Sequence, residues 1–424
     1  MYVLRYLPLN GHLSLENALL KLGYLQQLNN FQIWFENAIL FDRIGTHNSF
    51  CKLTRIKIDR NIPMKEDIYR QLAQRLDSLP NGFPSTPDGA ELRLLAKLFS
   101  AEEAELAAKL RLTLETPQEI ADRLGRDFRE IKSMLKTMAR NGLIRAGRAE
   151  SGLGYGLLPF VVGIYEYQFA KIDSEFAKLF EDYYSQAFST SLKVEPAFHR
   201  VLPVNETVRG DMEVHPYESA AVIVENAKSW GVIDCICRVQ KSLIGDPCEH
   251  PVDVCMMFNQ QPGIFDNHPE IRALTKEQAF ETLDRAAKSG LVHSVSNSQD
   301  GNTYICNCCT CSCGILRGMA ELGIANVIAR SAFVNTVDPE VCVGCESCVE
   351  YCQFDALSLE PIDPYVQIDE LRCVGCGVCV PVCPDHALTL IRRPEDENLQ
   401  IPETHEDWMQ ARAKSRGIDL TEIL

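Results

Sequence analysis

The sequence of 424 residues predicts a multidomain protein of the α+β class. Residues 64–158 combine leucines at helical spacing with capping motifs and one short hairpin, which predicts a helical first domain. Strand-like segments lie beside closely spaced cysteines in residues 159–334, and residues 335–393 contain two short cysteine runs of identical spacing. With 46% hydrophobic residues, the chain is long enough for about two to four domains with their own cores.

Charge and hydropathy restrict the kinds of partner. The net charge of −16 favours basic protein partners over nucleic acid. No apolar stretch is long enough to span a bilayer and no signal peptide opens the chain, so we expect a cytoplasmic protein without membrane insertion. Residues 1–63 carry an excess of basic side chains and precede a helix-like stretch at Met64. We interpret them as an extension of uncertain status, either an over-extended start or a small helical segment that packs on the body.

The first domain, residues 64–158, shows an ordered series of helix signals. Asp88–Leu110 has an apolar stripe at helical spacing and predicts one amphipathic helix. Thr116–Glu119 is a capping box with proline at the first helical position, and it opens a short helix that Gly125 ends. A second helix follows and stops at Asn141, and residues 143–158 read as a hairpin. This order resembles the winged helix-turn-helix superfamily and predicts a winged-helix-like head.

The second helix of this head has a basic outer stripe formed by Arg129, Lys132, Lys136 and Arg140. In a winged helix such a stripe suits phosphate contacts in a DNA groove. Winged helices also act as packing modules, and charged stripes are commonly solvated faces. Because the rest of the chain is acidic, we do not expect nucleic acid to be a partner.

Residues 335–393 carry the most specific signal. Each run has the spacing Cys-x2-Cys-x2-Cys-x3-Cys, and the runs are Cys342, Cys345, Cys348 and Cys352, then Cys373, Cys376, Cys379 and Cys383. Zinc ribbons, the alternative, usually place separated cysteine pairs around one ion. The spacing resembles the two-cluster bacterial ferredoxins. That resemblance implies a C-terminal bacterial ferredoxin-like domain with two [4Fe–4S] clusters and crossed ligation, one cluster on Cys342, Cys345, Cys348 and Cys383 and the other on Cys373, Cys376, Cys379 and Cys352.

The local sequence of these runs supports close loops with one departure. Gly344, Gly375 and Gly377 tolerate backbone angles that other residues avoid, which lets the loops approach a cluster closely. Gln353 stands where the first run of this type usually has proline. Ligation is unaffected, but the conformation of that turn is left open.

Nine further cysteines crowd the Cys-rich middle domain, residues 159–334. They fall into two motifs, Cys235, Cys237, Cys248 and Cys255, then Cys306, Cys308, Cys309, Cys311 and Cys313. Thiols at this density repel one another as thiolates and oxidise readily, so metal binding is expected. The first motif has enough sulfurs for a third [4Fe–4S] cluster, and the second holds a fourth or shares ligands with it. The alternatives are a Cys308–Cys309 disulfide and structural zinc with additional ligands from His250, His268 or His293.

The functional prediction combines these motifs. No catalytic triad, phosphate loop or dinucleotide fingerprint is present, so flavin and nicotinamide are not expected. From Met64 to Pro394 the chain resembles 4Fe–4S ferredoxin-domain proteins of anaerobic bacteria and archaea, which often have cysteine at the position of Ser312. The resemblance implies an electron carrier or oxidoreductase subunit that works with a redox partner protein. A substrate-reducing enzyme with its site at the middle cysteines and a redox-sensing DNA-binding regulator are the alternatives. Residues 394–424 are predicted to be a C-terminal tail.

Overall fold

The computed structural model describes residues 62–204, 207–394, 400–421 and 423–424, with side chains of the first helix described from Glu66 onward. The predicted extension, residues 1–63, therefore lies outside the described residues except for the backbone of its last two positions. Within the described ranges, none of the helices combines the length and the apolar character that crossing a bilayer requires.

The head consists of five helices and a hairpin. The elements are α1 (Ile62–Asp77), α2 (Ala90–Leu98), α3 (Ala101–Ala107), α4 (Pro117–Leu124), α5 (Phe128–Arg140), β1 (Arg145–Ala149) and β2 (Gly152–Gly156). The single helix predicted over Asp88–Leu110 is wrong. Phe99 is extended, and the Ser100 side chain accepts a hydrogen bond from Glu103 N in a capping box that starts a new helix.

The order of helix, helix and antiparallel hairpin is present in the head, and Tyr155 of β2 also pairs with Glu115. The turn lies at residues 150–151, so the two strands are closer in sequence than predicted. Arg129, Lys132, Lys136 and Arg140 are all exposed on α5, whose apolar face is buried. Assignment to the winged-helix superfamily stays a prediction.

The boundary predicted near residue 158 is not a boundary in packing. An irregular segment at Phe160–Ile164, with non-helical backbone at Val161–Gly163, and a helical turn at Glu166–Gln168 lead into α6 (Ser174–Tyr183). Helix α6 continues through Tyr184–Phe188 and Ser189–Ser191. The rings of Phe83 in the head and Phe160 have centroids 4.7 Å apart, and Phe83 lies at the same distance from Tyr183. One hydrophobic core therefore continues from the head into the middle of the chain.

The middle domain is built on one six-stranded antiparallel sheet with the strand order β3-β7-β8-β5-β4-β6. Its strands are β3 (His199–Val201), β4 (Ser229–Ile233), β5 (Cys255–Asn259), β6 (Arg272–Leu274), β7 (Val292–Ser296) and β8 (Tyr304–Cys308). The helices are α7 (Ala220–Asn226), α8 (Ile236–Leu243), α9 (Lys276–Lys288) and α10 (Arg317–Ala320). Val224 of α7 and Ala279 of α9 share a buried core with sheet residues that include Met256 and Ile305. Alternation along β8 then leaves Cys306 and Cys308 on the same side of the sheet.

The C-terminal cysteine runs lie on short loops between small strand pairs. The elements are β9 (Phe333–Val337), α11 (Ser347–Tyr351), β10 (Leu357–Ser358), β11 (Gln367–Ile368) and β12 (Leu388–Arg392), with β9 paired to β12 and β10 to β11. Gly375 and Gly377 have φ of 70° and 75°. A Cβ atom at Gly377 would lie 2.2 Å from Thr207 Oγ1, so the second run packs tightly against the middle domain.

The segment predicted as a tail forms a helix, α12 (His405–Arg416), that packs on the body. Arg412 is completely buried. Its guanidinium donates to the carbonyl of Pro80 in the head at 3.0 Å and to that of Ser191 at 2.6 Å, and it lies 4.0 Å from the centre of the Phe198 ring. The last helix therefore fastens the head to the middle domain.

Candidate metal centres

The structure brings the eight ferredoxin-type cysteines into two groups of four. Burial, together with the neighbouring thiols of Cys383, Cys342 and Cys345, raises the pKa of Cys348 to about 11. Burial likewise raises the pKa of Cys376 to about 12, with Cys352 and Cys373 as its neighbours. We call Cys342, Cys345, Cys348 and Cys383 the outer group and Cys352, Cys373, Cys376 and Cys379 the inner group. These are the sets that crossed ligation requires, and ligation itself stays a prediction.

Hydrogen-bond donors point at the sulfurs of both groups. Amide nitrogens approach three of them: Ala356 N to Cys352 Sγ at 3.4 Å, Ala387 N to Cys383 Sγ at 3.3 Å, and Asn335 Nδ2 to Cys379 Sγ at 3.2 Å. Such donors stabilise anionic sulfur and tune cluster potential. The residues present therefore fit two [4Fe–4S] clusters.

The two groups differ in their access to solvent. Cys345 of the outer group is exposed, and Val343 beside it is 66% exposed. Cys376 and Cys379 of the inner group are buried, and the carbonyl of Cys376 accepts a hydrogen bond from Val204 N at 2.9 Å. The outer group thus reaches solvent through Cys345, while its Cys348 and Cys383 are buried, and the inner group faces the middle domain.

The nine middle cysteines do not follow the two sequence motifs. Cys248 of the first motif lies with Cys309 and Cys311 of the second, and His250 completes a set whose ligand atoms all lie within 4.8 Å of one another. Cys248 Sγ is 4.0 Å from Cys309 Sγ, and Cys311 Sγ is 3.7 Å from His250 Nδ1. Tetrahedral zinc with Zn–S bonds of 2.3 Å needs sulfur separations of about 3.8 Å. We call this set the four-ligand site, and its dimensions fit a single metal ion.

Hydrogen bonding within the four-ligand site favours thiolate at Cys309, and Cys309 in turn raises the pKa of Cys311. The thiol of Cys311, and then the His250 imidazole, lower the pKa of Cys309 to about 3 against the effect of burial. In return, Cys309 raises the pKa of His250. Although burial opposes it, the hydroxyl of Ser312 lowers the pKa of Cys248. Ser312 is therefore a neighbour of this site.

The other six middle cysteines form a closed ring in which each thiol is close enough to two others to shift their pKa. The order around this six-thiol ring is Cys235, Cys255, Cys306, Cys308, Cys313 and Cys237. Strand register explains the assembly. Cys255 is the first residue of β5 and pairs with Ile233 of β4. Cys306 and Cys308 lie in the C-terminal half of the adjacent strand β8, and Cys235 and Cys237 lie at the start of α8.

The thiols of the two motifs are therefore interleaved in space, and cluster binding by them, separately or with shared ligands, stays a prediction. Helix α8 and the loop after it carry Cys248 away from the sheet edge where Cys235 and Cys255 lie. Of the three histidines considered as ligands, only His250 is placed with cysteines. His268 is exposed, and its Nδ1 accepts hydrogen bonds from two backbone N–H groups. His293 is buried, and its Nδ1 lies 2.5 Å from Asn307 Oδ1. No Cys308–Cys309 disulfide is present, because both are free cysteines.

Arg238 is a buried cation between the two middle sets, and sequence analysis missed its role. It is 2% exposed, and its Nη2 donates to the carbonyl of Asn307 at 2.8 Å. Its Nε and Nη1 have no hydrogen-bond partner in the described part of the chain. Although burial opposes its charge, the neighbouring thiols of Cys235 and Cys309, among others, raise the pKa of Arg238. Its position directly after Cys-x-Cys was the available signal.

Comparison with known proteins agrees with the C-terminal geometry. Residues 341–387 match the family of 4Fe-4S dicluster domains. The C-terminal domain is ferredoxin-like. The matched residues span both cysteine runs and their connecting loops, so this domain is of the 4Fe–4S cluster-binding type, and the cysteine-rich middle has the ligands for further metal. No curated protein and no solved structure matches the chain.

Proposed function

We propose that this protein transfers single electrons between a redox partner protein and a metal centre in the Cys-rich middle domain, through two [4Fe–4S] clusters. One observation carries the proposal. The side-chain oxygen of Gln353, directly after Cys352 of the inner group, accepts a hydrogen bond at 2.7 Å from Thr310 N. Thr310 stands between Cys309 and Cys311 of the four-ligand site. The Gln353 side chain thus connects the backbone next to Cys352 of the inner group with the backbone between Cys309 and Cys311 of the four-ligand site.

When bound, [4Fe–4S] clusters supply one-electron carriers whose potentials depend on hydrogen bonds to sulfur and on solvent exposure. The chain's own residues set both. Among the outer thiols, Cys345 is exposed and brings that group to the protein surface. The buried inner thiols of Cys376 and Cys379 exclude water, and Asn335 donates to the Cys379 sulfur. The order from solvent is outer group, inner group, then middle domain.

The surface around the outer group has a chemistry that suits a protein partner. Val341 and Val343 are exposed on either side of Cys342. Glu346 and Glu350 are exposed nearby. An apolar patch bordered by carboxylates favours a redox protein with a basic rim, because opposite charges accelerate encounter and fix orientation.

The test is an electron count on protein purified without oxygen. Stepwise reduction, followed by electron paramagnetic resonance at low temperature, should show at least two one-electron steps in the ferredoxin-like domain. The Cys345→Ser variant should lose the outer signal and slow reduction of the centres behind it by an external donor. If no centre is reduced between about −700 and +450 mV, the electron-transfer function is refuted. Unchanged reduction kinetics in Cys345→Ser would refute entry at the outer group.

A further inference from the structure

We propose that the six-thiol ring binds a polynuclear iron–sulfur cluster, distinct from the four-ligand site. This site goes beyond the proposed function, because what the middle domain binds does not depend on the partner or on the direction of electron flow. The ring takes three cysteines from each sequence motif, so neither motif alone predicts it.

Thiol spacing separates the two kinds of site. Among the described residues, the set of three or more candidate ligands that all lie within 4.8 Å of one another is the four-ligand site. Neither the six-thiol ring nor the outer or inner group satisfies this condition. A tetrahedral single ion brings its sulfurs to about 3.8 Å, whereas a cluster holds its thiolates on separate iron atoms and therefore further apart. No three thiols of the ring lie this close to one another, so the ring does not fit a single tetrahedral ion.

The donor set of the ring is entirely sulfur. Six thiols exceed the four that one [4Fe–4S] cluster needs, so the ring has the capacity for a cluster of at least four irons. The histidine and the more exposed thiol, Cys311, belong to the four-ligand site instead. Thiolate-only donors with little solvent access select iron–sulfur clusters, while mixed sulfur and nitrogen ligands suit zinc.

Polar groups around the ring indicate an anionic occupant. The unpaired Nε–H and Nη1–H groups of Arg238 are buried beside Cys235, Cys255 and Cys308. A buried guanidinium with unused donors is costly unless a negative charge lies nearby. The Tyr165 hydroxyl is also buried and unpaired in the described part of the chain, and the Cys237 thiol is one of its neighbours.

Ser294 adds a second hydroxyl group next to the ring, since its Oγ lies 3.7 Å from Cys308 Sγ. Neutral thiols alone would not require a cation and two hydroxyl groups in a buried site. A cluster ligated by several thiolates carries net negative charge, which these donors stabilise. Cluster binding displaces the thiol protons to solvent, so the ring sulfurs become thiolate ligands.

The test is a count of iron, zinc and acid-labile sulfide per chain in protein purified without oxygen. The full-length protein should contain at least about 12 iron atoms and as many sulfides, of which about 8 belong to the ferredoxin-like domain. Cys237→Ser with Cys306→Ser, from opposite sides of the ring, should lose at least about 4 iron atoms and their sulfides and keep the four-ligand ion. The matched control, Cys248→Ser with Cys311→Ser, should lose one ion and no sulfide. Unchanged iron and sulfide in the ring variant, loss of zinc alone, or about 8 iron atoms in the unmodified protein would overturn the proposal.

A second variant covers the case in which the ring variant fails to fold. Arg238→Gln should keep the iron and sulfide content but move the reduction potential of one additional signal, beyond the two of the ferredoxin-like domain, to more negative values. Arg238→Lys should restore the potential toward that of the unmodified protein, because it returns the positive charge. If neither variant moves any signal beyond those two, the ring holds no redox-active cluster and the proposal fails.

Discussion

Asn335 offers a direct test of how this chain sets the potential of the inner cluster. The side chain is buried, and its amide donates to Cys379 Sγ at 3.2 Å, while its carbonyl oxygen has no partner in the described part of the chain. In Asn335→Leu the donor is lost and the unpaired oxygen disappears with it. Because the hydrogen bond is stronger to the electron-rich reduced cluster, its removal should lower the reduction potential of the inner cluster.

The size of the shift follows from the energy of the bond. A hydrogen bond to a charged group contributes about 1.5–3 kcal/mol, and a difference of about 1 kcal/mol between the two oxidation states corresponds to about 40 mV for one electron. Stability should change little, since a leucine of similar size fills the site and an unsatisfied carbonyl is removed.

The measurement is a potentiometric titration followed by electron paramagnetic resonance on both proteins. Thr336→Val is the matched control, because Thr336 is the next residue on β9 and points to the opposite face of the strand. One of the two ferredoxin-type signals should move down in Asn335→Leu and neither should move in Thr336→Val. A shift upward, or no shift with both clusters present, would refute the role assigned to this donor.

Three further changes probe the packing and the alternative functions. Gly377→Ala places a Cβ 2.2 Å from Thr207 Oγ1 and should lower the melting temperature and the iron content, whereas Gly417→Ala, at a φ of 66° with no atom within 4 Å of its Cβ, should cost only about 1 kcal/mol from backbone strain. Equal effects of the two glycine variants would contradict the tight fit of the second run. Gln353→Leu should keep the iron content yet slow electron arrival at the middle domain in stopped-flow reduction, and a rate equal to that of the unmodified protein would show that the Gln353–Thr310 contact is not on the path. We expect no sequence-specific DNA binding by the exposed basic stripe of α5, and a complex whose affinity falls steeply with salt and disappears on replacing Arg129, Lys132, Lys136 and Arg140 with alanine would favour the regulator instead.

Local sequence signals predicted the parts of the fold that depend on neighbouring residues. The capping box at Thr116 and the left-handed Gly125 that ends α4 are both present as predicted. The helix over residues 88–110 failed at Phe99, where a second capping box at Ser100 competes with continuation. The apolar stripe alone does not reveal such a break, because both short helices keep their leucines on the buried side.

The sequence could not predict which side chains meet when their contact depends on tertiary structure. Which cysteines share a centre in the middle domain is set by the pairing of β5 with β4 and β8, and no spacing rule encodes that register. Gln353 illustrates the same limit. Its departure from the usual proline was visible, but its role requires knowing that Thr310 and Gly290 lie beside it. Arg412 gave no signal, since a basic residue in a helix near the C-terminus is normally solvated.

The position of Arg412 has a consequence for the order in which the protein matures. Its guanidinium is the hydrogen-bond donor for carbonyl groups of Pro80, Ser191, Val194 and Pro196, which lie more than 200 residues earlier in the chain. During synthesis, those carbonyl groups are made long before the side chain that satisfies them. These four carbonyl groups therefore gain this hydrogen-bond donor only after α12 has left the ribosome. By then every cysteine of the ferredoxin-like and middle domains has already been synthesised, so this one contact forms last.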